Sequence, residues 1–330
     1  MKSNNIESLY PFKFSPILKS VIWGGSQISQ FKNIKPVKEG IGESWEISGV
    51  KENISVVSNG KLAGTPLNKL LETHKEQLVG TKIYQQFGNT FPLLLKFIDA
   101  QDNLSIQVHP DDKLAMERHN SYGKTEMWYV VSASPDAFLY TGFEKSITPE
   151  QYEEMVHNNT FTETLKKYKV KEGDLFYLPA GRVHAIGSGC FIAEIQQTSN
   201  ITYRIYDYNR KDAEGNPREL HTELAKEAID FTVQDTYKTE YETSINQPVE
   251  LIKSPFFTTK LLEIDTPLTR DYSQTDSFVT YMCISGHCTI KDDKENSIIL
   301  SKGETALIPA ETEKIILTPG ESSKILETFI

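Results

Sequence analysis

The sequence predicts an all-β fold, a sandwich or barrel with a few helical insertions. Short runs rich in β-branched and aromatic residues recur along the chain, and Gly, Pro, Asn and Asp separate them. The clearest runs are PLLLKFI, LSIQVH, EMWYVV, DLFYLP, CFIAEIQQ, FVTYMCI, TALIPA and KIILT. Their length and spacing are typical of the strands of β-sandwiches and β-barrels.

Three stretches carry a helical pattern instead. Residues 65–88 combine helix-forming residues with apolar residues at three- and four-residue steps. Residues 148–168 open with Thr148, a predicted N-cap, and with Pro149 at the first helical position. Residues 219–230 show a weaker pattern of the same kind. We expect the first two stretches to be insertions beside the β core.

The polar segment around residues 240–248, EYETSINQP, has little periodicity and is predicted to link two domains. The first domain is predicted to span residues 1–240 and the second residues 248–330. The second repeats the first in degraded form, because each has a strand ending in Ser and a later turn of the pattern Gly-x5-Pro-Ala. The turns begin at Gly173 and Gly303.

The composition is that of an ordinary soluble protein. Of 330 residues, 38% are hydrophobic and 24% charged, and no apolar run approaches the roughly 20 residues that span a bilayer. The first residues lack the apolar core of a signal peptide, so we expect a cytoplasmic protein with no membrane partner. The three cysteines form no Cys-x-x-Cys pair, which predicts reduced, packed thiols.

A formal net charge of −10 argues against a nucleic-acid-binding surface, which needs clustered Lys and Arg. The same charge works against long-range attraction of an anionic substrate. If the substrate carries a phosphate, a local cluster of basic residues must therefore bind it. The unranked candidates for binding a phosphate are Arg182, Lys96 and Arg118.

The sharpest motif is GDLFYLPAGRVH at residues 173–184, with the pattern Gly-x5-Pro-x-Gly-x2-His. The glycines permit turns with positive φ, and Pro179 suits a strand edge. His184 then enters the interior from a tight turn. The pattern is similar to the second half of the cupin motif, in which this histidine binds a metal. The resemblance implies a cupin-type double-stranded β-helix, a jelly-roll barrel, followed by a second, degenerate cupin-like domain.

Metal ligands are then expected upstream of His184. Gln107 and His109 are two residues apart and so share one face of a strand, and Glu126 begins another strand. Taken alone, each of these residues is more often structural, but the motif favours them as a set. Two imidazoles with two oxygens suit Zn²⁺, and would also hold Mn²⁺, Co²⁺ or Fe²⁺.

Five segments resemble type I phosphomannose isomerase in its short bacterial form. They are VIWGG at 21–25, QVHPDD at 107–112, KTEMWYV at 124–130, PAGRVHAIG at 179–187 and EIQQTSNITYRIYDYNR at 194–210. The resemblance implies interconversion of mannose 6-phosphate and fructose 6-phosphate with one zinc ion per chain. It implies that Gln107, His109, Glu126 and His184 bind that ion.

The same resemblance implies that Arg204 and Lys124 lie in the substrate pocket, and less firmly that Glu194 carries a proton. A base must move a proton between C1 and C2 of the sugar. Glu194 is the first candidate and Lys124 the second, and the sequence does not choose between them. Arg204 could stabilise enediolate oxygens; its alternative is a structural ion pair with Asp207 or Glu194.

The sequence leaves several alternatives open. Trp23 fits a pocket wall and a buried core equally well. An Fe²⁺-dependent cupin oxidoreductase or dioxygenase is a competing function, which the replacement of one histidine by Gln107 disfavours. A sugar-phosphate-binding cupin without turnover is another. The second domain is predicted to bind no metal, because alignment of the repeats puts Val279 opposite Glu126 and Lys314 opposite His184.

Overall fold

The computed structural model describes residues 8–211 and 215–330, and their regular secondary structure is mostly strand, as predicted. The strands in chain order are β1 Phe12–Ser15, β2 Ile17–Gly25, β3 Ile41–Ser48, β4 Val56–Val57, β5 Leu93–Ala100, β6 Ile106–Val108, β7 Glu126–Ala133, β8 Phe138–Phe143, β9 Leu165–Lys169, β10 Leu175–Leu178, β11 His184–Ile186, β12 Cys190–Gln197, β13 Tyr203–Tyr206, β14 Lys238–Thr239, β15 Val249–Lys253, β16 Thr258–Ile264, β17 Leu268–Asp271, β18 Val279–Ser285, β19 His287–Asp292, β20 Ser297–Ser301, β21 Thr305–Ile308, β22 Lys314–Pro319 and β23 Ser323–Phe329.

The helices are short and lie between strands. They are α1 Gln27–Phe31, α2 Leu67–Val79, α3 Thr81–Phe87, α4 Asp112–His119, α5 Pro149–His157 and α6 Thr222–Ala228, with a 3₁₀-helix at Phe161–Thr164. The helical pattern over residues 65–88 is confirmed as α2 and α3. Gly80 separates them with φ +96°, a backbone conformation that glycine adopts without strain. Within the described ranges, no helix is long and apolar enough to cross a membrane.

The helix predicted to begin at Thr148 is confirmed at its start and wrong at its end. The Thr148 hydroxyl oxygen accepts a hydrogen bond from the backbone N–H of Gln151, and the side-chain oxygen of Gln151 accepts one from the backbone N–H of Thr148. These two bonds form a capping box. The helix ends at His157, however, and residues 165–168 belong to β9. This segment pairs with β8, so sheet pairing overrides the helix-forming composition of LKKY.

The chain forms two compact units that are not continuous in sequence. The central unit contains Leu18–Trp45 and Leu94–Thr239. The C-terminal unit contains residues 8–17, Glu46–Leu93 and Glu240–Ile330. The helices of residues 65–88 therefore belong to the C-terminal unit by compactness. The division into domains at 1–240 and 248–330 stays a prediction.

Two sheets enclose the core of the central unit. One has the strand order β14-β10-β7-β12-β5-β2-β3, and the other has the order β13-β6-β11-β8-β9. Trp128 and Phe176 of the first sheet belong to a buried hydrophobic cluster that also contains Ile186 of the second sheet. In the second sheet, Gln107 pairs with His184 on one side and with Arg204 on the other. Because opposed residues on neighbouring strands face the same way, these three side chains stand in one row.

The C-terminal unit repeats this topology. Its sheets have the orders β15-β16-β23-β18-β21-β1-β4 and β17-β22-β19-β20. The strand order β10-β7-β12 in the central unit thus corresponds to the order β21-β18-β23 in the C-terminal unit. The order β6-β11-β8-β9 likewise corresponds to β17-β22-β19-β20. Val279 opens β18 and pairs with Ile308 at the end of β21, as Glu126 opens β7 and pairs with Leu178 at the end of β10. The predicted degenerate repeat is confirmed.

Candidate active site

A cleft of about 190 Å³ lies in the central unit, lined by side chains from both of its sheets. Four of the lining residues that carry the chemistry are cationic and two are acidic. They are Lys96, Lys124, Arg204 and Arg218, and Glu43 and Glu194. Gln107 also lines the cleft, and so do Trp23 and Trp128. Trp23 is both buried and a lining residue, so its two alternative roles coincide.

His109, Glu126 and His184 form a buried group whose ligand atoms all lie within 4.8 Å of one another. The Nδ1–H of His109 donates to the Ile201 carbonyl at 2.8 Å, and the Nδ1–H of His184 donates to the Arg182 carbonyl at 2.8 Å. These bonds fix the ring orientation and turn the Nε2 lone pairs toward Glu126. The Nε2 atoms lie 3.6 Å and 3.3 Å from the Glu126 carboxylate.

The protonation state of the two histidines suits metal binding. Burial and the Lys124 ammonium together lower the pKa of His184 to about 3, and the same two causes lower the pKa of His109. Both imidazoles are therefore neutral near pH 7, the form that ligates a metal. The Oε1 atom of Glu126 is buried and has no hydrogen-bond partner among the described residues. An orphaned carboxylate oxygen beside two imidazole nitrogens that each carry a lone pair fits a divalent cation.

Gln107 on β6 lies beside this group. Its side-chain amide nitrogen lies 3.3 Å from Nε2 of His184, and Ser105 Oγ lies 3.5 Å from its amide oxygen. A half-turn of the amide group brings the oxygen to the position beside His184. Gln107 can thus present an oxygen to the same centre, which gives two nitrogen and two oxygen donors.

Lys124 lies against this centre. Its ammonium donates hydrogen bonds to Nε2 of His109, at 2.9 Å, and to the Glu126 carboxylate. Lys124 precedes β7 and is buried, yet it lines the cleft. A positive charge held by candidate metal ligands is consistent with a cation-binding site.

Glu194 lies on β12, directly opposite Trp128 on β7, and accepts a hydrogen bond of 2.7 Å from the Trp128 indole. The Lys96 ammonium is 3.0 Å from its other oxygen and 3.8 Å from Glu43. Burial raises the pKa of Glu194, but Lys96 and Lys124 outweigh burial and hold the pKa at about 2. Glu194 is therefore a carboxylate at neutral pH.

Arg204 enters the cleft from β13. Its Nη1 donates to the Glu219 carbonyl at 2.9 Å, and its Nε is buried without a hydrogen-bond partner among the described residues. Burial lowers the pKa of Arg204, and the neighbouring Arg218 lowers it further. The partners considered from the sequence are occupied elsewhere, since Asp207 pairs with Arg210 and Arg218 and Glu194 pairs with Lys96.

The structure adds residues that the sequence did not single out. Glu43 comes from β3 and approaches Lys96, and Arg218 reaches the cleft from the segment before α6. Neither belongs to a recognisable motif. Of the basic residues considered for phosphate, Lys96 lines the cleft. Arg182 instead donates to the Tyr177 carbonyl and stacks over Tyr237, and Arg118 pairs with Glu227.

Comparison with known proteins identifies the family. Mannose-6-phosphate isomerase ManA of Bacillus subtilis is 42% identical over 221 residues, which cover 67% of this chain and 68% of that protein. Mannose-6-phosphate isomerase of Streptococcus mutans is 35% identical over 290 residues, which cover 87% of this chain and 89% of that protein. The chain belongs to the type I phosphomannose isomerase family.

Family models and structures agree with this assignment. Residues 11–133 match the catalytic domain of phosphomannose isomerase type I, and residues 248–324 match the cupin domain of mannose-6-phosphate isomerase. The crystal structure of mannose 6-phosphate isomerase from Bacillus subtilis superimposes with a TM-score of 0.87 at 29% identity, covering 98% of this chain and 100% of that one. These matches agree with a cupin fold, and neither the oxidoreductase nor the non-catalytic alternative is favoured.

Proposed function

We propose that the enzyme interconverts mannose 6-phosphate and fructose 6-phosphate with one zinc ion per chain. The proposed ligands are Gln107, His109, Glu126 and His184. The observation that supports this proposal best is a buried group of two neutral imidazoles and one carboxylate. Each imidazole is held in place by a hydrogen bond from its Nδ1–H. One oxygen of the carboxylate has no hydrogen-bond partner among the described residues. When bound, the ion supplies a Lewis acid that favours negative charge on the sugar oxygens.

The reaction needs two proton movements that leave the total unchanged. One proton leaves C2 and is delivered to C1, and the hydroxyl proton at O2 passes to O1, so that an aldehyde becomes a ketone. We assign the carbon-bound proton to Glu194, which is ionised and lines the cleft. We assign the oxygen-bound proton to Lys124, which carries hydrogens at the edge of the metal centre.

Lys96 and Lys124 keep Glu194 in the carboxylate form, which leaves it free to accept a proton. The Trp128 indole and the Lys96 ammonium fix the orientation of the carboxylate throughout. Lys96 is therefore a positioning residue in this scheme.

Arg204 is proposed to stabilise the negative charge that develops on the enediolate oxygens. Its orphaned Nε is a buried donor that needs an acceptor, and the described protein groups supply none. A preorganised guanidinium costs no reorganisation when charge appears in the transition state. The row that joins Arg204 to Gln107 and His184 aligns this donor with the metal centre.

A coupled assay tests the proposed function. Purified enzyme loaded with Zn²⁺ should form fructose 6-phosphate from mannose 6-phosphate and lose that activity after chelation. Glu194→Gln and Lys124→Met should each lower kcat by roughly 10²–10⁴-fold, the usual contribution of a proton-transferring group. In deuterated water, a variant that lacks the carbon base should also fail to exchange the C2 proton. Normal exchange in Glu194→Gln would assign that step to another residue.

A further inference from the structure

A cluster of three arginines surrounds one carboxylate beside the cleft. Arg218 donates two hydrogen bonds to the Asp207 carboxylate, from Nε at 2.7 Å and from Nη2 at 2.5 Å. Arg210 donates to the same carboxylate at 2.5 Å and to the Asn103 carbonyl at 2.5 Å. Arg204 is close enough for both of these arginines to lower its pKa, after the larger effect of burial.

The charges of this cluster do not balance. Among the described residues, the three guanidiniums are opposed by the buried carboxylate of Asp207 and the exposed carboxylate of Glu219, which leaves an excess of one positive charge. Burial raises the Asp207 pKa, but its arginine partners lower it overall. An arginine keeps its proton under all ordinary conditions, so the excess persists. The whole chain carries a net charge of −10, which makes a local positive cluster more notable. A phosphate monoester at neutral pH carries nearly two negative charges.

The two lysines of the cleft each have a carboxylate partner, whereas Arg218 shares the carboxylate of Asp207 with Arg210. Lys96 lies between Glu194 and Glu43, and Lys124 bonds to Glu126. Arg210 does not line the cleft and is engaged by Asp207 and Asn103. Arg218 and Arg204 do line it. The contact of Arg218 with Asp207 takes up Nε and Nη2, and Nη1 takes no part in that contact.

The cluster lies at a suitable distance from the metal centre. Arg204 is on β13, two strand positions away from His184 on β11, with Gln107 between them. Neighbouring strands are about 4.8 Å apart, so the two backbones are separated by roughly 10 Å. A hexose phosphate in its open form can span such a separation, with its carbonyl end at the metal ligands and its phosphate beyond Arg204.

We propose that Arg218, held in place by Asp207, binds the phosphate group of the substrate. This inference rests on the proposed function and specifies one end of its substrate. Arg218 is the binding residue, and Asp207 is a positioning residue that acts through it. The bidentate contact fixes the plane of the guanidinium group. Its remaining N–H donors are therefore already oriented toward an anion, and little side-chain conformational entropy is lost on binding.

Steady-state kinetics of Arg218→Gln tests the proposal. The KM for mannose 6-phosphate should rise roughly 10- to 100-fold, as expected for the loss of a charge-assisted hydrogen bond, with little change in kcat. Inorganic phosphate, used as a competitive inhibitor, should bind more weakly by a similar factor. Arg118→Gln is the matched control, because it removes the same charge from a partly buried arginine that pairs with Glu227 outside the cleft. It should leave KM and phosphate inhibition unchanged.

A second variant distinguishes a loss of phosphate binding from a loss of the folded structure. Asp207→Asn keeps the volume of the side chain and should raise KM and the inhibition constant of phosphate in the same direction as Arg218→Gln. Metal content and circular dichroism of both variants should match the wild type. An unchanged KM and unchanged phosphate inhibition in a folded Arg218→Gln would overturn the assignment, as would a loss confined to kcat. If wild-type enzyme itself fails to turn over mannose 6-phosphate, the proposed function fails instead, and phosphate binding measured by calorimetry still decides the role of Arg218.

Discussion

Gln107 and Arg204 lie directly opposite each other on the neighbouring strands β6 and β13. On the other side of β6, Gln107 lies opposite His184 of β11. Because directly opposed side chains share a face of the sheet, strand register alone places His184, Gln107 and Arg204 in one row. This geometry joins the two ends of the proposed site and leads to the first prediction.

Arg204→Ala should keep its fold and its metal and lose mainly kcat. Removal of one preorganised donor to a developing oxyanion costs on the order of 10²–10³-fold in kcat. Steady-state kinetics at saturating mannose 6-phosphate, with thermal unfolding in parallel, measures this. A sharp fall in melting temperature with an intact kcat would show that Arg204 is structural. The contrast with Arg218, whose variant should change KM, separates the two arginines.

Removal of a metal ligand should abolish metal binding and turnover together. His184→Ala leaves three donors, which bind a divalent ion weakly, so both metal content and activity should fall. Chelation of the wild type should have the same effect, and Zn²⁺ should restore activity. His157→Ala, an exposed histidine at the end of α5, is the matched control and should keep one metal ion. Full turnover in protein shown to be free of metal would contradict the role of the ion.

The strands and the His184 motif were predictable because both depend on local sequence. Alternation and β-branched runs report the strands directly, and the Gly-Pro-Gly turn that ends at His184 is a contiguous pattern. The capping box at Thr148 is equally local. Residues 165–168 failed for the opposite reason, because their conformation is decided by pairing with β8, which the segment itself does not encode.

Glu43 and Arg218 were not predictable from the sequence because their roles arise from tertiary placement. Glu43 reaches Lys96 across two neighbouring strands of a sheet, and Arg218 reaches Asp207 from a segment without a regular motif. The same limit applies to the alternative partner of Arg204, since composition could not show that Arg218 and Arg210 already occupy Asp207. Charge pairing depends on which elements meet, and that information is not local.

Lys96→Met should destabilise the enzyme most near neutral pH. Glu194 has a folded-state pKa of about 2, below its ordinary value near 4.3, so it stabilises the fold above the ordinary value and loses that contribution as pH falls through about 2. Without Lys96, burial of the carboxylate is opposed more weakly and its pKa rises. The cost of breaking this buried pair is roughly 3–5 kcal/mol at pH 7.

The pH dependence provides the check on this prediction. Protonation relieves the unpaired carboxylate, so the difference in unfolding free energy between wild type and Lys96→Met should shrink as pH falls from 7 to about 4. Chemical denaturation at several pH values measures the difference. Lys113→Met on α4 removes an exposed lysine and should show a small effect at every pH. A difference that grows on acidification would mean that Lys96 does not hold Glu194 ionised.

The C-terminal unit contains a counterpart of the Trp128–Glu194 pair. Tyr281 on β18 lies opposite Glu327 on β23 and donates to its carboxylate at 3.1 Å, and Arg270 binds that carboxylate at 2.8 Å and 2.9 Å. Glu327→Leu should leave Arg270 unpaired and destabilise the protein by roughly 3 kcal/mol or more without changing kcat. The double variant Glu327→Leu/Arg270→Met should recover stability, because both charges are then gone. Continued loss in the double variant would show that the pair is net stabilising.

The metal content of the whole chain gives the last prediction. Val279 occupies the register position of Glu126, and Lys314 begins β22 as His184 begins β11. A valine offers no donor, and an ammonium has no lone pair to give. Where the first repeat has Gly181, with φ +89°, the second has Glu311, so the tight turn that orients the histidine is replaced. Zn²⁺ titrated into the chelated enzyme should therefore plateau near one ion per chain, and the double variant His109→Ala/His184→Ala should bind none tightly. A tight site that survives in that double variant would place a metal in the C-terminal unit and refute the expectation that this repeat carries none.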